Sequence, residues 1–211
     1  MSLINITAQE APTQLWHVMS RGLTPMLTSS PGLGKSSIAK QIASNHNLKV
    51  IDLRLSQCDV TDLNGFPMIS DDRKKASYTP MDTFPLETDE LPDGYDGWLL
   101  LLDEINSAAK AVQASAYKLV LDHEVGLNKL HPKVYKMAAG NLKSDGAIVN
   151  DLSTAMQSRM VHFGLSLDVD AWVDWATKSG IDFRVIAYIN YKNEKLQAFD
   201  PNHSDRTFPC P

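Results

Sequence analysis

Residues 26–40, with the sequence MLTSSPGLGKSSIAK, decide the fold that we expect. A short apolar stretch predicts a buried strand at 25–28, and the loop after it leads into a helix predicted at 36–46. Gly32 and Gly34 permit the backbone angles with which consecutive N–H groups turn toward one point. The loop therefore has the form of an anion cradle between a strand and the start of a helix.

This loop nearly matches the phosphate-binding pattern GxxxxGK[ST]. Ser29 stands where the pattern has its first glycine, and Gly34, Lys35 and Ser36 match the rest. Lys35 supplies a full charge to the β and γ phosphates, and the Ser36 hydroxyl is a ligand for Mg²⁺. An ordinary turn before a helix is the alternative. We predict that ATP contacts one continuous run of residues: Ser30, Pro31, Gly32, Leu33, Gly34, Lys35, Ser36 and Ser37.

The second half of the predicted site is the run WLLLLDE at 98–104. Its consecutive apolar residues indicate a strand buried on both faces. Ligands bind at the carboxyl ends of strands in open α/β sheets. We therefore expect Asp103 to organise Mg²⁺ and Glu104 to activate the attacking water as general base. A solvated acidic pair at the end of a strand is the alternative.

Two later residues are further candidates for the site. Asn141 follows a strand predicted at 134–139, where its amide would orient water or contact the γ-phosphate. A turn-forming asparagine is the alternative. Arg159 lies between a short helix predicted at 152–157 and a strand at 161–164. It is either an arginine finger that stabilises charge in the transition state or a plain surface residue.

Strands that alternate with helices predict an α/β fold, with a parallel sheet and helices on both faces. A further strand is predicted at 48–55 and further helices at 8–21 and 108–123. A hairpin is predicted from FPMIS and ASYTP, around a turn with Arg73, Lys74 and Lys75. The apolar face of the helix at 108–123 is assigned to Ala109, Val112, Ala116, Leu119 and Val120.

Helices predicted at 168–179 and 182–192 indicate a small helical unit after the sheet. The expected organisation is a nucleotide-binding α/β domain at 1–166 and a helical lid at 167–211. Trp172 and Trp175 are spaced for one helix face and are expected to pack in the lid core.

Composition narrows the classes of protein that the chain can belong to. The net charge of −5 gives no global electrostatic case for nucleic acid. Cys58 and Cys210 lack metal-binding spacing and are expected to be free thiols in a reducing compartment. No apolar run approaches the length of a membrane span, and the first residues lack the pattern of a secretion signal. We expect a cytoplasmic protein without a membrane partner.

These motifs, in this order, resemble those of the AAA+ ATPases and, within them, of the MoxR-like group. The matching stretches are SSPGLGKSS (Walker A), LLLLDEIN (Walker B), AAGN (sensor 1) and LSTAMQSRMVHF (the arginine-finger region). The resemblance implies a P-loop NTPase that hydrolyses ATP as a homo-oligomeric ring, typically a hexamer. It also implies a remodelled protein substrate, often with a von Willebrand factor A domain partner. Arg159 would then reach the nucleotide of the neighbouring subunit.

One departure from the family concerns the end of the lid. Relatives carry a sensor 2 arginine in an FPxPR stretch, whereas this sequence reads TFPCP at 207–211, and Arg206 does not align. This departure favours a nucleotide-binding scaffold with little turnover, although Glu104 opposes that hypothesis. A clamp-loader-like or nucleic-acid-associated ATPase also stays open, because QSR at 157–159 resembles the clamp-loader arginine motif.

Overall fold

The structure is a computed structural model that describes residues 3–69, 71, 74–143 and 149–197. Within these residues, the main sheet is built from six parallel strands. In chain order they are β1 (Ile4–Thr7), β2 (Thr24–Ser29), β3 (Lys49–Arg54), β6 (Trp98–Asp103), β9 (Val134–Asn141) and β10 (Met160–Ser166). The described residues also form two small antiparallel ribbons: β4 (Phe66–Ile69) with β5 (Ala76–Thr79), and β7 (Glu124–Val125) with β8 (Asn128–Lys129).

The strands of the main sheet lie in the order β1-β10-β2-β9-β6-β3. All of its pairings are parallel, so the carboxyl ends of β2, β9, β6 and β3 share one edge. Every residue of β6 is buried, as its apolar run predicted. The sequence did not predict β1, because only four residues form it and Ile4 is exposed.

The helices lie on both faces of the sheet, which confirms the predicted fold class. They are α1 (Ala11–Met19), α2 (Lys35–Asn45), α3 (Val60–Asn64), α4 (Lys110–Leu121), α5 (Thr154–Gln157), α6 (Val169–Lys178) and α7 (Phe183–Tyr191). Side chains of β6 alternate between two separate cores, as a strand's period of two requires. Leu99 and Leu101 pack in the core that includes residues of α1 and α2, whereas Leu100 and Leu102 pack in the core that includes residues of α4.

The start of α4 corrects one assignment from the sequence. Ala109, which we expected on the apolar face, is exposed, because the helix begins at Lys110 and Ala109 has an extended backbone. Gln113 is buried on that face instead, and its Nε2 donates to the carbonyl of Ala108 over 3.3 Å. A buried amide is tolerated here because a backbone oxygen satisfies it.

The predicted hairpin is confirmed, with Phe66–Ile69 paired to Ala76–Thr79. All eight residues of its two strands are exposed, so both faces of the ribbon meet solvent. Gly65 fixes the base of the ribbon: it has φ 87°, and a Cβ there would lie 2.1 Å from the carbonyl oxygen of Thr79. Lys74 and Lys75 lie near the turn, whereas Arg73 is outside the described residues.

A lysine is buried beneath the carboxyl end of α4. Lys136 on β9 is 4% exposed, and its Nζ donates to the carbonyls of Leu119 and Val120 over 3.1 and 2.8 Å. These carbonyls lie in the last turn of α4, where the helix dipole favours a cation. Burial nevertheless lowers the pKa of Lys136 from 10.5 to about 8.

Two capped helices follow the main sheet. The side chains of Asp168 and Asp182 accept hydrogen bonds from the first turns of α6 and α7. Their bounds agree with the helices predicted at 168–179 and 182–192. Cys58 is a free thiol, as expected, whereas Cys210, Arg206 and the TFPCP stretch lie outside the described residues. None of the helices in the described ranges has the length and apolar character needed to cross a membrane.

Candidate nucleotide-binding site

The phosphate loop, residues 29–36, joins the end of β2 to the first turn of α2. Gly32 and Gly34 have φ values of 81° and 79°, in the left-handed region that glycine adopts without strain. Gly34 directly precedes α2, so the loop ends at the positive end of the helix dipole. Ser30, Pro31 and Leu33 fill the remaining loop positions. The local geometry is that of an anion site at a helix N-terminus.

Lys35 is held by oxygen atoms from both sides of the loop. Its Nζ donates to Ser29 Oγ over 3.0 Å and to the carbonyls of Ser29 and Ser30 over 3.2 and 3.3 Å. It also donates to Asn141 Oδ1 over 3.0 Å. Ser29, which replaces the usual glycine, thus contributes a hydroxyl contact to the lysine. The replacement adds a ligand for the ammonium group at the end of β2.

Ser36 and Asp103 lie side by side, although 67 positions separate them in the sequence. Ser36 Oγ donates to Asp103 Oδ2 over 3.1 Å, and Asp103 Oδ1 accepts from the backbone N–H of Glu104 over 2.8 Å. Asp103 is 8% exposed. A hydroxyl and a carboxylate are the hard oxygen donors that suit Mg²⁺, so the pair fits the metal that the sequence predicted. Within the described part of the chain, no group of three or more His, Cys, Asp and Glu residues is placed to hold a metal.

Glu104 is the next residue along this edge of the sheet. Its φ of 54° lies in the left-handed region, which is uncommon for a residue other than glycine. Its Oε2 accepts a hydrogen bond from Ser56 Oγ, in the turn that follows β3. No sequence motif predicted a role for Ser56, because the contact spans 48 positions and no local pattern links the two residues.

Asn141 is fixed by a second asparagine, Asn106, which was not among the predicted site residues. Asn106 donates from Nδ2 to the carbonyl of Asn141 over 2.7 Å, and its Oδ1 accepts from the N–H of Asn141 over 3.2 Å. Gly140 makes room for this contact, because a Cβ there would lie 2.5 Å from Asn106 Oδ1. The backbone of Asn141 is therefore fixed by Asn106, and its side chain contacts Lys35. A polar residue two positions after Glu104 in LLLLDEIN was the available signal.

Arg159 lies at the opposite edge of the sheet. Met160, the next residue, pairs with Thr24 at the start of β2, and the phosphate loop begins at the other end of that strand. The two ends are five residue-to-residue steps apart along β2, or roughly 16 Å. Arg159 is exposed, its Nη1 donates to the carbonyl of Ala155 over 3.2 Å, and its guanidinium lies 5.9 Å from the ring centroid of Tyr117. The structure does not bring Arg159 to the phosphate loop of its own chain.

A cavity of about 390 Å³ adjoins the phosphate loop. Trp172 and Trp175, which we expected in a lid core, line this cavity instead, and Trp175 is 53% exposed. Gly32, Leu33 and Gly34 of the phosphate loop line it too. The remaining lining residues are Ala8, Gln9, Ser37, Ile38, Gln41, Leu165, Ser166, Leu167, Asp168 and Ala171. A concave, largely apolar site with aromatic side chains suits a planar organic group.

The parallel sheet, the glycine loop before α2 and the acidic end of β6 together define the fold of a P-loop NTPase. Among solved structures, the chain is similar to a Cytophaga hutchinsonii protein that is provisionally assigned as an ATPase. The TM-score is 0.53 at 14% identity, covering 90% of this chain and 62% of that protein. A proline-to-glycine variant of RuvB from Thermotoga maritima gives a TM-score of 0.49 at 20% identity, covering 81% and 49%.

The similarity to the Cytophaga protein supports the fold and extends no further, since the identity is low. The chain spans about three fifths of the length of that protein. No protein-family model matches the sequence, and no curated protein matches it.

Proposed function

We propose that the chain binds ATP with Mg²⁺ and hydrolyses it to ADP and phosphate. The observation that carries the proposal is the 3.1 Å hydrogen bond between Ser36 and Asp103. It joins the helix after the glycine loop to the acidic end of β6, which is where a phosphate-bound metal needs its protein oxygens.

Each residue of the site has a proposed role. The N–H groups of the phosphate loop and the ammonium of Lys35 hold the phosphates, and Ser36 and Asp103 hold Mg²⁺. The charge that develops on the phosphate oxygens during hydrolysis would be neutralised by a metal held there. Glu104 accepts the proton of the attacking water, and Asn141 contacts the γ-phosphate.

The cavity beside the loop is the proposed place of the adenine base. Gly32, Leu33 and Gly34 belong both to its wall and to the phosphate loop, so one nucleotide would occupy both. Trp172 and Trp175 on α6 form part of the same wall. We propose a domain boundary between residues 166 and 167, so that the nucleotide lies between the α/β domain and the helical lid.

Arg159 supports a proposal that the active form is an assembly of subunits. It is exposed and lies at the sheet edge opposite its own phosphate loop, so it would serve the nucleotide of a neighbouring subunit. The resemblance to MoxR-like ATPases favours a homo-oligomeric ring, typically a hexamer, that remodels a protein substrate. A von Willebrand factor A domain protein is the partner that this resemblance suggests.

Replacing the proposed general base tests the activity. Glu104→Gln keeps the size of the side chain but cannot accept the proton, so it should bind ATP with unchanged affinity and lose turnover. Glu87→Gln, at an exposed position outside the site, is the matched control and should retain wild-type turnover. Normal hydrolysis by Glu104→Gln would remove Glu104 from this role. A wild-type chain that binds ATP without turnover would instead be a nucleotide-binding scaffold.

A further inference from the structure

The main sheet has an open edge along β3. This strand stands last in the order β1-β10-β2-β9-β6-β3, and it pairs with β6. Lys49 donates its N–H toward β6, to the carbonyl of Gly97 over 2.9 Å. Backbone groups of successive residues in a strand point to opposite sides, so those of Val50 and Asp52 point away from β6. Among the described residues, none hydrogen-bonds to the backbone of Val50 or Asp52 on that outer side.

A groove of about 490 Å³ lies against this open edge. The first four residues of β3, 49–52, line it, together with Trp98 and residues of the connection between β5 and β6. Four residues of strand are roughly 13 Å long. These residues begin β3, whereas the candidate nucleotide site lies at the carboxyl ends of the strands. The groove is therefore separate from the site described above.

The connection that lines the groove is held firmly against the rest of the fold. Phe84 is 2% exposed and packs in the core that includes residues of α4. The carbonyl of Pro85 accepts from the N–H of His131 over 2.9 Å. Within the connection, Asp89 Oδ2 accepts from the N–H of Leu86 over 2.7 Å. The groove is thus preformed, so a ligand would bind it without the cost of ordering a loop.

The charges that line the groove are mostly negative. Four carboxylates, those of Asp52, Asp82, Asp89 and Glu90, stand against the single ammonium of Lys49. Asp52, Asp82 and Glu90 are exposed, and within the described part of the chain none of them forms a salt bridge. Such a surface attracts positive charge. It also disfavours a second copy of the chain that would pair through the same edge, because like charges would then face each other.

We propose that this edge binds an extended segment of a protein partner that contains lysine or arginine and adds to β3 as a further strand. The outer N–H and C=O groups of Val50 and Asp52 supply the main-chain hydrogen bonds, and the carboxylates contact the basic side chains. Open strand edges are natural templates for another chain. This inference goes beyond the proposed ATPase function and does not depend on it.

Fluorescence anisotropy with a labelled octapeptide, in which lysine alternates with valine, tests the proposal. We expect a dissociation constant of about 100 µM or lower at low salt. The same peptide with a methyl group on every peptide nitrogen keeps its charge but cannot donate to the backbone of β3. It should bind about tenfold more weakly or worse. Absence of binding would overturn the proposal, as would equal affinity of the two peptides.

A pair of triple variants tests the position of the site. The first removes three exposed carboxylates of the groove: Asp52→Asn, Asp82→Asn and Glu90→Gln. The matched control removes three exposed carboxylates from the helical region after the sheet: Asp170→Asn, Asp174→Asn and Glu194→Gln. Both lose the same net charge, but the groove variant alone should weaken peptide binding about tenfold or more. Equal affinity of the two variants would assign the binding to general charge attraction and overturn the proposal.

Hydrogen exchange of backbone amides tests the added strand directly. The peptide should slow the exchange of Val50 and Asp52 about fivefold or more, and it should leave β1, at the other edge of the sheet, unchanged. Protection of β1 instead of β3 would overturn the proposal. A dimer that protects residues 49–54 without peptide would assign the edge to a second copy of the chain, which would also overturn it.

Discussion

Lys35 Nζ lies 3.0 Å from Asn141 Oδ1, which joins the first residue of α2 to the last residue of β9. The contact passes the end of β2. The hydroxyl oxygen of Ser29, the last residue of β2, accepts a hydrogen bond from the same ammonium over 3.0 Å. Three strand and helix ends thus converge on one positive charge. Phosphate oxygens are stronger partners for an ammonium than neutral amide and hydroxyl oxygens, so this arrangement keeps the charge at the place where a phosphate would bind.

Replacing Lys35 should weaken ATP binding more than replacing any surface lysine. Lys35→Met retains most of the side-chain volume and removes the charge, so we expect affinity to fall about 30-fold or more, equivalent to roughly 2 kcal/mol. Isothermal titration calorimetry measures the affinity directly. Lys40→Met, at an exposed position on the same helix, is the control. An affinity of Lys35→Met close to that of Lys40→Met would contradict the assigned phosphate contact.

Asp103→Asn should separate metal binding from nucleotide binding. The amide loses the charge that favours Mg²⁺, so the Mg²⁺ concentration for half-maximal turnover should rise roughly tenfold or more. ATP affinity measured in the presence of a chelator should change little, because Asp103 contacts the nucleotide only through the metal in the proposed site. Asp93→Asn, on an exposed loop, should leave both values unchanged. An unaltered Mg²⁺ requirement in Asp103→Asn would show that other oxygens hold the metal.

Arg159→Ala should lower ATP turnover only when subunits are assembled. The side chain is exposed and remote from its own phosphate loop, so ATP affinity should be retained. Wild-type specific activity should rise with protein concentration as subunits assemble, and that rise should be absent in the variant. Arg184→Ala removes another exposed arginine, which is paired with Asp182, and serves as control. Equal loss of activity in a dilute monomer would argue against action on a neighbouring subunit.

Lys136 should make the free energy of unfolding depend on pH in the alkaline range. Its pKa is about 8 in the folded chain and near the ordinary 10.5 when unfolded, so between these values the unfolded state binds more protons. The contribution of this residue to the free energy of unfolding therefore rises with pH from about 8 to about 10.5. Urea unfolding at several pH values measures the slope.

Lys136→Met should lose that part of the slope, whereas Lys49→Met, at an exposed position, should keep it. The same pH dependence in Lys136→Met and wild type would mean that the buried ammonium does not titrate in this range.

The central part of the site could be predicted from the sequence because its signals are local. The phosphate loop is one continuous run of residues. The acidic pair lies at the end of an apolar strand, and the apolar composition of that strand predicts its burial on both faces. Ser36 and Asp103 meet because Asp103 ends β6, Ser36 lies just after the loop that follows β2, and the carboxyl ends of both strands share an edge. The contact was implied once the sheet was known to be parallel.

Other parts depend on contacts that no local pattern records. The pairings of Asn106 with Asn141 and of Ser56 with Glu104 span 35 and 48 positions. Trp172 and Trp175 were expected in a core because helical spacing is the same for a packed face and for a cavity wall. The position of Ala109 was missed because the helix begins one residue after it, and helix starts are uncertain by one or two residues.

A chain break in the exposed hairpin of β4 and β5 would divide the strands of the main sheet between two fragments. Cleavage of the bond between Lys74 and Lys75 would leave β1, β2 and β3 in one fragment and β6, β9 and β10 in the other. In the sheet these strands interleave as β1-β10-β2-β9-β6-β3, so no two main-sheet strands of the first fragment are neighbours. The first fragment therefore cannot form any of this sheet by itself. The two pieces would be obligate partners in a split protein, each completing the hydrogen bonding of the other.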